Sequence, residues 1–303
     1  MTRAYIPLLL LLSAIWGASF MFIKVAGRAF EPWTMMFFRL ALAALIIWGV
    51  LALQRGLAGA VADVRALGTE GLLLGVVNGA VPFTLIAWGE RHIDSGVAAI
   101  GNASMPIFVA LLALRYQPSE RSSGWRLFGV LVGLVGVGVL AGLNPRGGWW
   151  AVAGTLAVVV ASISYAAASL WAQKVVKRTT SLALVTTTMT GGALALLPFA
   201  LVQLPSHVPG RKETGSVLAL AVLGTAAGQL IFYRMIDLDG SARASLVTYL
   251  LPVTALFYGV TLLGEPLTVE EVVGLMLILA GVALGSGVVR LARRQTAPAA
   301  PAP

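Results

Sequence analysis

The stretch SGVAAIGNASMPIFVALLAL, residues 95–114, is long and apolar enough to cross a bilayer as a helix. Its middle is nevertheless polar: Gly101, Asn102 and Ser104, followed by Pro106. Hydrocarbon would leave an amide unpaired, at a cost of about a few kcal/mol. Proline also frees a carbonyl one turn earlier. The segment is therefore predicted to face protein or a water-filled cavity, with a bend at the proline. A second stretch, SARASLVTYLLPVTALFYGV at 241–260, has the same character, and its Pro252 lies 146 residues after Pro106.

The rest of the chain fits a polytopic membrane protein. Of 303 residues, 58% are hydrophobic and only 11% charged, where a soluble domain needs roughly a quarter charged. Mean hydropathy is +0.90. Ten apolar segments are predicted to span: 5–24, 32–53, 70–89, 95–114, 124–142, 149–172, 182–204, 215–236, 241–263 and 270–290. Connections are short, the longest being 54–69 and 205–214, and the Pro- and Ala-rich tail 291–303 reads as a disordered cytoplasmic tail. Arg3, the following apolar run and small residues resemble a secretory leader. The run continues to Lys24 and many spans follow, so it reads as the first span.

The net charge of +9 does not point to nucleic acid, because the basic residues flank apolar runs, where they set topology. With the N-terminus inside, the inner side holds most of them, from Arg3, Arg55 and Arg65 to Arg290, Arg293 and Arg294. The outer side holds Lys24, Arg28, Arg91, Arg146, Arg211 and Lys212. Both termini are therefore expected in the cytoplasm. The chain has no cysteine, so no disulfide or thiolate-bound metal is expected, and no metal cluster or cofactor motif is visible. No Gly-Lys pair exists for a phosphate loop.

The two polar stretches belong to a longer repeat. At offset 146, Ser95, Ala98 and Pro106 meet Ser241, Ala244 and Pro252. At offset 145, Glu120, Gly129, Gly136 and Val137 meet Glu265, Gly274, Gly281 and Val282. Each half then holds five spans, an odd number, so the halves enter the membrane in opposite senses. The expected fold is an all-α membrane protein of ten transmembrane helices in two inverted five-helix repeats, 1–146 and 147–290. Many alternating-access transporters are built this way.

Trp16-Gly17-Ala18-Ser19-Phe20 with Lys24, Pro32 with Arg39, Leu251-Pro252-Val253, and Gly264-Glu265-Pro266-Leu267-Thr268 with Gly274 and Gly281-Val282 resemble the drug/metabolite transporter superfamily, in its ten-span EamA-like branch. The first half keeps Glu120 and Gly129 but departs at the glycine flanking the glutamate. The resemblance covers nearly the whole chain and implies a secondary transporter, not an enzyme. On overall likeness, without a diagnostic motif, it is closest to bacterial exporters of aromatic amino acids. It implies a bacterial inner-membrane location and amino acids as the small-molecule substrate. A carrier of anionic phosphorylated or nucleotide-linked metabolites, a general drug/metabolite exporter and a non-transporting membrane scaffold are the alternatives.

Candidate substrate-binding residues are the polar and aromatic groups inside spans: Trp16, Asn78, Phe83, Asn102, Tyr165, Gln229, Tyr233 and Tyr249. Ser162, Tyr165 and Ser169 share one helix face, as do Gln229 and Tyr233. Pro82, Pro106 and Pro252 are candidate hinges. Trp171 is a further candidate wall, although it also fits an interfacial aromatic belt, as do Trp125, Trp149 and Trp150. Lys24 and Arg39 read first as structural cations that snorkel or cap carbonyls, second as groups that attract a carboxylate, and as prime ligands if the substrate is a phosphorylated or nucleotide-linked metabolite. All twelve acids fall at span ends or in loops, so no buried carboxylate is expected. Glu90, Arg91, His92 and Asp94 read as a solvated turn. Thr268-Val-Glu-Glu271 reads as a capping box, Glu265 as a turn-fixing residue, and Gly129, Gly133, Gly281 and Gly285 as close-packing sites for the fifth and tenth spans. With both repeats in one chain, a monomer suffices.

Overall fold

A computed structural model describes residues 5–116, 124–142 and 148–285. Glu120, Arg146 and the tail 291–303 lie outside the described residues. Those described form helices and short connections, with no strand among them. Six helical stretches are long and apolar enough to cross a membrane: Tyr5–Ala26, Pro32–Gly89, Ser95–Leu112, Gly148–Arg178, Ser181–Val202 and Arg211–Leu238. Leu127–Leu140 and Val247–Leu263 are shorter apolar helices. Much of the outside is apolar, including Leu45, Leu131, Leu194, Phe199, Phe257 and Met276, as lipid requires of a surface with few charges.

The helices are α1 (Tyr5–Ala26), α2 (Pro32–Gly75), α3 (Val81–Gly89), α4 (Ser95–Asn102), α5 (Met105–Tyr116), α6 (Gly124–Gly142), α7 (Gly148–Val175), α8 (Ser181–Val202), α9 (Arg211–Ala219), α10 (Gly228–Asp239), α11 (Ser241–Ala244), α12 (Val247–Tyr258) and α13 (Val269–Gly285). Three π-helical segments interrupt this order at Val76–Ala80, Leu220–Ala227 and Gly259–Leu263. The predicted connection 54–69 is corrected: it is helical. Gly56 (φ 71°) and Gly68 (φ 52°) turn the chain within α2, in a conformation that only glycine adopts freely. The piece between them buries Ala60 and leaves Leu57 exposed.

The helix pairs α2/α8 and α6/α13 pack along their lengths. Glycine makes both crossings possible. A side chain at Gly75 would strike the Thr188 backbone, and one at Gly191 the Leu72 backbone. Gly281 faces the backbone of Gly129 and Gly133, while Gly136 faces Leu277 and Ile278. The predicted close approach of α6 and α13 is thus observed. The capping box is also observed: the Glu271 amide donates to Thr268 Oγ1 at 3.2 Å and the Thr268 amide to Glu271 Oε2 at 3.3 Å.

The stretch 95–114 is two helices, not one bent helix. α4 ends at Asn102 and α5 begins at Met105, with Pro106 in its first turn, where a missing N–H costs nothing. Carbonyls at the break find other donors. Ser104 Oγ donates to the Gly101 carbonyl at 2.6 Å, and Ser162 Oγ on α7 lies 3.3 Å from it and 3.4 Å from that of Asn102. The polar residues of the opening stretch therefore serve a chain break packed against α7. In 241–260 the break falls earlier, between α11 and α12, and Pro252 lies inside α12.

Candidate functional site

The bundle centre holds a cation. Arg39 follows an apolar stripe on α2 and is 6% exposed, within the largest core cluster. A buried guanidinium needs partners, and two are present. Its Nε donates to Thr225 Oγ1 at 2.8 Å, and its Cζ lies 3.9 Å from the centroid of the Phe83 ring. Thr225 reaches this position because its segment is π-helical: its hydroxyl donates back to the Leu220 carbonyl, five residues earlier, at 2.9 Å. Such bulges recur at functional sites. Phe83 in turn meets Tyr165 edge-on, centroids 6.2 Å apart. A guanidinium backed by an aromatic face is held flat and directed. Thr225 takes its Nε–H, and the terminal N–H groups make no further hydrogen bond among the described residues, so they can receive a carboxylate.

Of the eight predicted binding residues, four pack against this one core: Trp16, Phe83, Tyr165 and Tyr233. Trp16 lies against Phe232 at 5.4 Å, and Phe232 against Tyr233 at 6.0 Å. Asn78 and Gln229 are half-buried, and their side chains make no hydrogen bond among the described residues. Asn102 has a buried side-chain oxygen with no partner. Tyr249 packs elsewhere, on the cluster between α4, α5, α6 and α13. Trp171 is also elsewhere, donating to Glu70 at 3.0 Å. Pro82 is the second residue of α3, just past the π segment Val76–Ala80, whose Val77 carbonyl accepts from Ser164 of α7 at 2.6 Å. Sequence reasoning missed Thr225, because nothing in LGTAAGQL announces a π turn. It also left Arg39 out of the binding set, although a lone arginine inside an apolar run was itself a signal.

Comparison with known proteins decides the class. The model of the EamA-like transporter family matches this chain twice, over residues 3–142 and 152–287. The chain belongs to that family. Among relatives of this EamA-family transporter, an uncharacterized transporter of Archaeoglobus fulgidus is 27% identical over 88% of this chain and 93% of its own. The uncharacterized inner membrane transporter YedA of Escherichia coli is 26% identical over 93% and 91%. A protein of Salmonella typhimurium named a probable amino-acid metabolite efflux pump is 26% identical over 90% and 92%. One crystal structure shares the fold with a TM-score of 0.67, at 16% identity, over 98% of this chain and all of its own. The protein is thus a multi-pass membrane transporter and not an enzyme.

One end of the EamA transporter departs from expectation. The predicted solvated turn between α3 and α4 is corrected at Glu90, which is 2% exposed. α1 packs over the turn, and its Lys24 ammonium donates to the Glu90 carbonyl at 2.7 Å and the Ile93 carbonyl at 2.6 Å. Lys24 is therefore a latch, in line with the structural reading of it. Neither carboxyl oxygen of Glu90 has a hydrogen-bond partner. Burial pushes this carboxyl well above the ordinary carboxylate range, against the pull of Lys24, with nearby Glu265 adding to the rise. Glu265 does more than fix its own turn. Its carboxylate accepts from the Ser95 amide at 3.0 and 3.1 Å and from the Ser95 hydroxyl at 2.5 Å, so it caps α4. Arg91 pairs with Glu31 on the surface. His92 stacks on Trp150 at 5.2 Å, and burial, with the charges of Arg91 and Lys24, holds its pKa below the ordinary value.

Proposed function

We propose that this transporter exports aromatic and other large neutral amino acids by alternating access, with Arg39 receiving the substrate carboxylate and Phe83, Tyr165, Trp16 and Tyr233 forming the aromatic surround. The observation that carries this reading is the buried Arg39 set on Phe83 and Thr225 beside Tyr165. One fixed cation suits a monocarboxylate. A phosphorylated or nucleotide-linked metabolite brings two or more negative charges, and Lys24, the other inward cation, is already committed to backbone carbonyls. The name of the Salmonella relative points the same way.

The architecture that goes with this reading is ten spans in two inverted five-helix repeats, 1–146 and 147–290. Several observations support it. The family model matches twice. The π segments Val76–Ala80 and Leu220–Ala227 fall at equivalent positions when the halves are aligned at offset 145. The pairings α2/α8 and α6/α13 join equivalent helices. In this reading both termini are cytoplasmic, the membrane is the bacterial inner membrane and the working unit is a monomer. Asn78, Asn102, Gln229 and Tyr249 remain proposed contacts of the substrate's polar end in other conformations, and Pro82, Pro106 and Pro252 the hinges.

The test is counterflow in proteoliposomes loaded with unlabelled tryptophan, following entry of labelled tryptophan. Exchange that saturates and falls on Arg39→Ala or Phe83→Ala is expected. No exchange by folded wild-type protein, with exchange of a phosphorylated metabolite instead, would overturn the substrate class.

A further inference from the structure

The Glu90 carboxyl needs an explanation of its own. It is the charged-type side chain with both oxygens buried and unpartnered among the described residues. The groups around it come from every element that packs on the turn, and most are engaged elsewhere; Arg28, just past α1, borders a cavity that Glu90 also lines. From α1, Lys24 gives two of its three N–H donors to carbonyls at the C-terminal end of α3, where a cation is favoured. From α2, Arg39 is held by Thr225 and Phe83, and Tyr165 of α7 lies against it. From the segment before α13, Glu265 is spent on Ser95 and brings a second negative charge toward the site. On its own turn, Arg91 pairs with Glu31, and His92 stacks on Trp150. A carboxylate in this position would have burial and Glu265 against it, the charges of Lys24 and Arg39 for it, and no hydrogen bond from any donor as these are now placed.

A cavity borders the same residue, with both carboxyl oxygens buried from it in this arrangement. It measures about 250 Å³ and is lined by Lys24, Gly27, Arg28, Ala87, Glu90 and Arg91. At about 30 Å³ per molecule it has room for several waters. Lys24 thus stands between two acceptor sets: the carbonyls of the turn, which it now binds, and the carboxyl of the same residue.

We propose that Glu90 is a proton-binding site whose occupancy sets how tightly α1 is latched to the α3–α4 turn. With the proton on, the neutral carboxyl asks nothing of Lys24, and the ammonium stays on the Glu90 and Ile93 carbonyls. Loss of the proton to cavity water leaves a carboxylate. Lys24 then turns from the carbonyls onto it, and a charge pair to the same turn holds the end of α1 more tightly than the neutral carbonyls did. The step is an acid–base exchange in which one O–H bond breaks and the proton leaves as hydronium. The inference rests on the chain's being a transporter and on no particular solute. It gives transport a dependence on the proton, the ion that most directly reads a pH difference across the membrane.

Two measurements on the full chain in lipid nanodiscs test it without any substrate. The first is infrared pH titration of the carboxylic-acid C=O stretch. Wild type is expected to keep a protonated-carboxyl band at neutral pH that disappears in Glu90→Gln and survives in Glu265→Gln. The second uses the absence of cysteine in the chain. Spin labels at Ala29→Cys and Trp149→Cys report the distance between the end of α1 and the start of α7. In wild type the distance is expected to shorten or narrow in spread as pH rises through the titration of that band. Glu90→Gln should keep the low-pH distance at every pH, and Lys24→Met should abolish the pH dependence. Absence of the band in wild type overturns the proton site, a result that needs no variant to fold. A distance in Glu90→Gln that still follows pH as wild type does overturns the latch. Failure of tryptophan counterflow with both results positive would strike the substrate reading alone.

Discussion

Two ionisable side chains are buried near one another in this bundle, and the protein treats them oppositely. Arg39 has a hydroxyl on its Nε and a ring beneath its plane. Glu90 has no donor on either oxygen. A partnered buried charge is held in one state and serves as a fixed recognition point. An unpartnered one is poised between states, because the environment that hosts the neutral form rejects the ionised form. In the proposed reading, Arg39 is an anchor and Glu90 a switch, two buried ionisable groups that sense each other within one bundle.

The sharpest way to break this comparison is to remove the anchor. Arg39→Ala is expected to weaken amino-acid counterflow by roughly a hundredfold, about 3 kcal/mol. Arg39→Lys should recover little, since an ammonium has no flat face to lay on Phe83. A milder change makes the anchor resemble the switch. Thr225→Val deletes the donor's partner while keeping shape, and should cost about 1–3 kcal/mol of stability, read from the thermal unfolding midpoint in detergent.

The switch is tested by pH. Between the ordinary carboxylate range and the raised value of Glu90, the folded chain keeps a proton that the unfolded chain has lost. Stability should therefore fall as pH rises across that window, by up to about 1.4 kcal/mol per pH unit. Glu90→Gln should remove this component of the slope. If unfolding midpoints of wild type and variant run parallel with pH, Glu90 is not the group responsible. The smallest effect expected is a control far from either charge. Thr268→Ala breaks the capping box of α13 and should cost about 1 kcal/mol, with no change in pH dependence.

Much of the fold was legible in the sequence because it depends on local signals. Apolar runs marked the helices and Gly281 marked a close approach to α6, while Pro106 and Asn102 marked an irregularity, predicted as a bend, that is a break between α4 and α5. Half of the eight candidate binding residues, Trp16, Phe83, Tyr165 and Tyr233, pack against one core, since they are aromatic residues inside spans and their common packing needed only one inward face per helix. The misses are tertiary. Glu90 looked like a turn residue, and only the packing of α1 across the turn removes it from water. The segment 54–69 looked like a loop because two glycines and its charges interrupt the apolar pattern, while the backbone between the glycines stays helical. Thr225 depends on one extra residue in a helical turn, a register change with no compositional mark.

The fastenings of α1 carry a mechanical consequence. Near one end the Tyr5 hydroxyl donates to the Arg243 carbonyl at 3.1 Å. Near the other, Lys24 holds the α3–α4 turn. Between them Gly17 presses on Thr254, with no room for even a methyl group, and Thr254 Oγ1 donates to the Ser13 carbonyl at 2.8 Å. The helix is a beam pinned at both ends over a fulcrum. If one pin is released, the tight Gly17–Thr254 contact is the natural pivot, and a swing at one end is then expected to move the other the opposite way. A bulkier residue at position 17 would shift the pivot, and with it the ratio of the two strokes.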